Sequence, residues 1–399
     1  MVDSTTRPWW EKWDPNNVTL ADPNVDDSWK YCVLQGVYWG SPEDNGVTGA
    51  RISSIFVIFI TSTALSLFPV VAQKVPWLRI HRYVYQFARS FGTGVIVSTS
   101  YIHLMDPAYQ EIGGYSCIAQ TGNWSIYSWC PAIMLTTVFA TFLVDLFSAV
   151  YVERKYGVVH EENGDEVANA ITHAAKKSNQ SPVDNNQMEL ESLPNSGNPY
   201  SGVQTMDNND EKISTDTQSY ALSESSRSEN EQDVERRFRA DLGAFMVLEA
   251  GLLFHSVMIG LNLGTIGDEF STLYAVLVFH QSFEGLGIGA RLCAITFPRD
   301  KWWWPYALCL AYGLTTPICV AIGLGVRKSY SSNSYSVNVV SGILDSISAG
   351  ILMYTGLVEL LARDYMFNAH RTKDLRELFF NVASILTGAG LMALLGKWA

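Results

Sequence analysis

Between residues 52 and 396 this chain carries eight predominantly apolar runs, and about 20 residues is what a helix needs to cross a hydrocarbon core roughly 30 Å thick. They lie at 52–72, 87–105, 131–152, 240–264, 271–292, 304–326, 338–361 and 378–396. In lipid each backbone polar group must be satisfied within its own segment, so such runs specify helices. The second has a weaker signal because it starts among Tyr83, Gln86 and Arg89, and the eighth because it is rich in Gly and small residues. The expected fold is an all-α polytopic membrane protein with eight transmembrane helices.

Composition matters through its unevenness. Of the 399 residues 48% are apolar and only 17% charged, against roughly 25% charged in an ordinary soluble domain. Residues 1–51 sum to −4 and residues 153–239 to −8, which together make the whole net charge of −12. The chain is therefore divided into an N-terminal tail (1–51), helices 1–3 (52–152), a polar loop (153–239) and helices 4–8 (240–399). That loop, dense in Asn, Ser, Asp, Glu and Gln and poor in aromatics, has too little apolar surface to order itself. The charge balance excludes nucleic-acid binding through a basic surface. Six cysteines in 399 residues exclude a cysteine-stapled scaffold.

Lys and Arg concentrate on the cytoplasmic side of membrane proteins. Eleven of them (Lys74, Arg79, Arg82, Arg89, Arg291, Arg299, Lys301, Arg363, Arg371, Lys373 and Arg376) fall in or beside one set of loops, and two, Arg327 and Lys328, in the other. This places both termini outside and the 153–239 loop in the cytoplasm. The start, MVDSTTRPWWEKWD, has no apolar core of a cleavable signal peptide. The sequons at Asn17 and Asn123 fall outside and that at Asn179 inside. Cys32, Cys117 and Cys130 also fall outside, where a disulfide can persist; Cys117 and Cys130 are the easiest pair to join.

A charged side chain near the bilayer centre costs about 2.5–3.5 kcal/mol on insertion scales, so ionisable residues there read as functional by default. They cluster in two spans. The fourth, LGAFMVLEAGLLFHSVMIGLNLG, holds Glu249, His255 and Asn262; the fifth, LYAVLVFHQSFEGLGIGARL, holds His280 and Glu284 near its midpoint. At 3.6 residues per turn, His280 and Glu284 stack on one face about 6 Å apart, with Gln281 bordering that face. Imidazole and carboxylate suit a borderline divalent metal such as zinc, with His255 supplying a third ligand from the neighbouring helix. Three protein ligands leave a coordination position open, as a transported ion requires. No Cys lies near, which argues against Cu(I). One membrane histidine is more often an ordinary hydrogen-bonded group than a ligand; two with a carboxylate at one depth reverse that balance. Met258 reads as packing, and Gly285, Gly287 and Gly289 as points of close helix approach. His103 and Asp106 at the outer end of the second span, with Asp268 and Glu269, could attract cations, while Asp268 and Glu269 read equally well as an ordinary solvated turn. Asp145, Asp345 and Glu359 are candidates for the rest of a pathway, Glu359 having Arg363 as an alternative partner.

HSVMIGLNLG at 255–264 and HQSFEGLGIGARL at 280–292 resemble the ZIP family of metal-ion transporters, as do GTGVIVSTSYIHLMDP and SAGILMYTGLVELLARD. The resemblance covers all eight spans. With GNWSIYSWCPAIM and RTKDLRELFFNV, the chain is similar to the fungal plasma-membrane zinc-uptake permeases within that family. It implies extracellular termini, a 3+2+3 inverted-repeat arrangement, a homodimer, and a metal site between helices 4 and 5. By motif position it assigns His255, His280 and Glu284 as ligands, with Ser256 and Gln281 at neighbouring site positions. Ile259 departs from the pattern, since many members carry a carboxylate there, and one metal rather than two is expected. The His-x-His-x-His repeats common in the family's cytoplasmic loop are also missing; His160, Glu161, Glu162, Asp165 and His173 could bind metal weakly there, but read more readily as solvated charge. The function expected is zinc(II) uptake across the plasma membrane by alternating access, with zinc as substrate rather than cofactor. An iron(II) or manganese(II) permease and a non-transporting metal receptor are the alternatives. An enzyme is not expected, since neither HExxH nor GxSxG is present. The bilayer is a partner throughout, and Lys176, Lys177 and Lys212 are candidate ubiquitin acceptors.

Overall fold

The structure, a computed structural model, describes residues 48–75, 81–120, 123–124, 126–156, 212–267, 269–327, 334–367 and 374–398, and part of 21–37. Asn17, Asn179, Asp268, Lys176, Lys177, His160, Glu161, Glu162, Asp165 and His173 lie outside the described residues. Every regular element among the described residues is helical. In chain order they are α1 (Asp27–Leu34), α2 (Thr48–Lys74), α3 (Arg82–Ser98) continued by a π-helical segment Thr99–Met105, α4 (Asp106–Ile112), α5 (Trp129–Tyr156) and α6 (Lys212–Thr265). Then follow α7 (Phe270–Leu292), α8 (Trp304–Val326), α9 (Tyr335–Tyr354) continued by a second π-helical segment Thr355–Phe367, and α10 (Leu375–Leu395). Each expected span lies inside one of these helices, save that 378–396 overruns α10 by one residue.

Among the described residues six helices are long and apolar enough to cross a bilayer, within α2, α5, α6, α8, α9 with its π segment, and α10. The other two expected spans, α3 and α7, fall below that standard for a reason that bears on function. α7 has the length, with 23 residues, but His280, Gln281 and Glu284 lower its hydropathy. α3 opens on Arg82, Tyr83, Gln86 and Arg89.

The chain divides into two units, residues 151–234 and the remainder. Within the smaller, Lys155 Nζ donates to Tyr151 Oη at 3.4 Å. The backbone is helical from Lys212 onward, over a stretch with no Gly or Pro before Gly243 to interrupt it. In the larger unit α2 packs on α7 and α8, α3 on α7 and α10, and α4 on α9. Only 11% of the apolar window in α5 is buried, against 50% in Tyr335–Phe367, so α5 is peripheral and offers its apolar side chains to lipid.

Glycines bring α7 against its neighbours. A Cβ on Gly289 would lie 2.0 Å from the Ser66 carbonyl of α2, and one on Gly287 would lie 2.8 Å from Gly92 Cα of α3. Backbones approach this closely only where both surfaces are small, and the faces of α7 that carry its polar residues are thereby buried. At one end of α2, Arg51 is buried and donates to the carbonyls of Leu263, Gly264 and Ile266. These are the unsatisfied carbonyls at the C-terminus of α6, where a cation also complements the helix dipole. Cys32 is bridged to Cys117. The pairing of Cys117 with Cys130 expected from sequence is thus corrected: Cys130 is a buried free thiol 3.8 Å from Met134 Sδ one turn along α5. The choice was unreadable because it depends on α1, which lies in the segment taken for a tail and buries Trp29 and Cys32.

Candidate metal centre

His255 and His280 come together because α6 and α7 are consecutive helices joined by a short turn, Ile266 to Glu269. Their Nε2 atoms are 3.1 Å apart, and Glu284 Oε1 lies 3.3 Å from His280 Nε2. The three donor atoms lie within 4.8 Å of one another, and this is the one such cluster of three or more His, Cys, Asp or Glu among the described residues. Two ligand atoms about 2.1 Å from a tetrahedral zinc sit about 3.4 Å apart, so the spacing fits a shared ion with little movement. The residues are 1%, 2% and 0% exposed, depths at which a carboxylate needs compensation.

Surrounding groups fix the ligands. Thr99, in the first π-helical segment, donates its hydroxyl to Glu284 Oε1 at 3.1 Å. His103, on the same segment, sets its ring edge-on to His280 with centroids 4.7 Å apart. Its Nε2 donates to the Met392 carbonyl at 2.8 Å. His103 was expected near an opening, and it does line the cavity described below, but it also touches the cluster. π-helical turns reposition side chains in this way and recur at functional sites. Neither Thr99 nor the His103 contact was visible in the sequence, because a helical Thr carries no distinctive signal.

Two further buried groups have orphaned atoms among the described residues. Ser256 Oγ and both amide atoms of Gln281 have no hydrogen-bond partner, although the Gln281 carbonyl accepts from Tyr312 Oη at 3.0 Å. Glu249 Oε2, 6 residues before His255, is likewise buried without a partner.

A cavity of about 290 Å³ ends on His255 and His280 and is lined by His103, Asp106, Asn262 and Asp345 from the expected pathway. Met258 and Ile259 also line it. Asp106 is held by Gln110 Nε2 at 2.9 Å. Glu111, not singled out from sequence, lines the cavity too; burial pushes its carboxyl up to about 7, against a hydrogen bond from Ser341 that pulls the other way. Glu269 is an exposed turn residue.

The remaining pathway candidates lie elsewhere. Asp145 accepts from Tyr354 Oη at 2.9 Å. Glu359 pairs with Arg363 at 2.6 Å and lines a second cavity, of about 460 Å³, at the opposite end of the helices. Asp345 and Glu359 share a face only if the helix is regular between them, and it turns π-helical at Thr355. In the second cavity Asp364 joins Arg89 at 2.8 Å and Arg291 at 3.6 Å, while Arg363 reaches Asp241 at 3.8 Å.

The helices define a multi-pass membrane protein, and the buried cluster brings together three side chains of the types that could hold a divalent metal. Comparison with known proteins narrows the class. The model of the ZIP zinc transporter family matches residues 48–396. Zinc-regulated transporter 1 of Saccharomyces cerevisiae is 58% identical over 398 residues, covering all of both chains. Zinc-regulated transporter 1 of Schizosaccharomyces pombe is 36% identical over 361 residues, 89% of this chain and 86% of that one. Zinc transporter 8 of Oryza sativa subsp. japonica is 30% identical over 353 residues, 88% of each. The chain belongs to the ZIP zinc transporter family, a family of transporters and not of enzymes.

Proposed function

We propose that this protein carries zinc(II) into the cell across the plasma membrane by alternating access, and that His255, His280 and Glu284 hold the ion in transit. The observation that carries the reading is the convergence of these three buried donors, from adjacent helices, two of them, His255 and His280, lining a polar cavity. On this reading eight helices span the bilayer, both termini are extracellular and the 153–239 loop is cytoplasmic. The 290 Å³ cavity is then the outer one.

A hydrated ion enters past Asp106 and Asn262 and exchanges water for two imidazoles and a carboxylate. Glu284 supplies the charge that offsets dehydration, and Thr99 keeps its Oε1 aimed at the ion. The imidazoles must be neutral to bind, so acid weakens the site. With Ile259 where a carboxylate would bridge a second ion, the centre holds one. Incomplete coordination keeps release fast. Inward release requires the ion pairs among Arg89, Asp241, Arg291, Arg363 and Asp364 to part, after which the ion leaves past Glu359 and Asp145. Support for zinc as cargo comes from the family and from relatives named as zinc transporters.

Radioactive zinc uptake into zinc-starved cells lacking their own system tests this. Wild type is expected to take up zinc saturably, with iron(II) and manganese(II) competing weakly. His280→Ala and Glu284→Ala, at matched surface expression, are expected to lose at least nine-tenths of it. Undiminished uptake by both variants would dismiss the site; stronger competition by iron or manganese would reassign the cargo.

A further inference from the structure

The cavity that ends on the ligand cluster holds a second group of oxygen donors that neither the cluster nor the packing uses. Glu111 from α4 and Asp345 from α9 both line it. Asp345 is only 5% exposed, and its Oδ1 has no hydrogen-bond partner among the described residues. Glu111 Oε2 is also buried and unpartnered. Ser341 lines the cavity with them, and its hydroxyl donates to Asp345 Oδ2 at 3.4 Å. One hydroxyl has a single proton to donate, so it cannot satisfy both carboxylates at once. No Lys or Arg among the described residues lines this cavity. Two like charges held together without a counter-charge are unfavourable, and a buried unpaired carboxylate is costly by itself. The wall is thus built with a deficit of positive charge that a proton shared by the two carboxylates relieves in part and that an arriving cation can replace.

We propose that Glu111 and Asp345, with Ser341, form a second divalent-cation site, separate from the histidine cluster, that takes a cation still carrying most of its water. Its donors are all oxygen, the set that suits hard or hydrated divalent ions, whereas the imidazoles of the inner cluster favour zinc after dehydration. An oxygen-only site above a histidine-containing one concentrates the ion at the cavity wall and leaves selection to the deeper ligands. The inference rests on the reading of this cavity as the metal's route.

The test uses the full-length protein in lipid nanodiscs, with manganese(II) counted by electron paramagnetic resonance as the probe of an oxygen site. The double variant His255→Ala/His280→Ala, which lacks the inner ligands, is expected still to bind one manganese ion at neutral pH. Adding Glu111→Gln or Asp345→Asn is expected to weaken that binding at least tenfold. Each of these changes made alone in the wild-type chain should leave tight zinc binding at the histidines, which reports that the chain is folded. No bound manganese in the double variant would overturn the proposal, and so would manganese binding indifferent to both carboxylate changes. If instead the double variant holds zinc as tightly as wild type, the histidine reading fails, whatever the manganese count.

Discussion

Glu284 is the residue on which the proposed centre turns, being the one carboxylate among three converging side chains. The single Thr99 hydroxyl proton is shared between its Oε1 at 3.1 Å and the Val95 carbonyl at 3.0 Å, while Oε2 is buried with no partner among the described residues. A hydrogen bond to a charged group contributes roughly 1.5–3 kcal/mol. Thr99→Val keeps the shape and removes the donor, so the KM for zinc uptake is expected to rise about tenfold or more, since every 1.4 kcal/mol is a factor of ten. Surface expression should be unchanged, and initial-rate uptake at graded zinc measures the effect. An unaltered KM would mean that Glu284 is oriented by other groups. That His255, His280 and Glu284 cluster was legible in the sequence because ionisable residues are rare inside apolar runs and because i, i+4 spacing places His280 and Glu284 on one face. Thr99 and Glu111 were not: a threonine hydroxyl in a membrane helix ordinarily bonds its own backbone, as Thr99 also does with the Val95 carbonyl. Glu111 lies past the apolar run, and only the fold of α4 against α9 brings it to the cavity.

α7 owes its position to residues that contribute no side chain at all. Gly285, Gly287 and Gly289 let it lie against α2 on one side and α3 on the other. Substituting Gly289 by Leu puts a side chain where the Ser66 carbonyl stands 2.0 Å from the Cβ position, and the backbone of α2 cannot yield without shifting. Overpacking of this kind costs typically about 1–3 kcal/mol. Gly289→Leu should therefore lower the thermal midpoint of the detergent-solubilised protein and reduce its surface level, whereas Gly390→Leu, with open space around it, should leave both near wild type. Equal behaviour of the two variants would remove the packing explanation. The glycine spacing was readable as a sign of close approach, but the partners were not, since they come from helices about 200 residues away. The π-helical segments were also hidden: local sequence gives no clue that the α-helical register breaks at Thr99 and Thr355. His103 lies within the first of these segments, while Asp345 and Glu359, 14 residues or about 21 Å of helix apart, line cavities at opposite ends.

Across the whole molecule, the charge pattern and the helices describe one design. The two polar stretches that carry the net charge lie outside the apolar runs, and what remains is balanced and largely buried or lipid-facing. One cavity, free of Lys and Arg among the described residues, descends to the histidines; at the other end Arg89, Asp241, Arg291, Arg363 and Asp364 are bound to one another. The eight helical runs were legible because lipid permits so few solutions for the backbone. The disulfide and the ion-paired end were not, since both join segments far apart in the chain. X-ray absorption at the zinc edge, on purified protein loaded with less than one equivalent of zinc, tests most directly that the ion rests on these residues. The expected spectrum has two imidazole nitrogens at about 2.0–2.1 Å with oxygen completing the shell, and it loses one imidazole in His255→Ala and one in His280→Ala. An oxygen-only shell, unchanged in both variants, would contradict it.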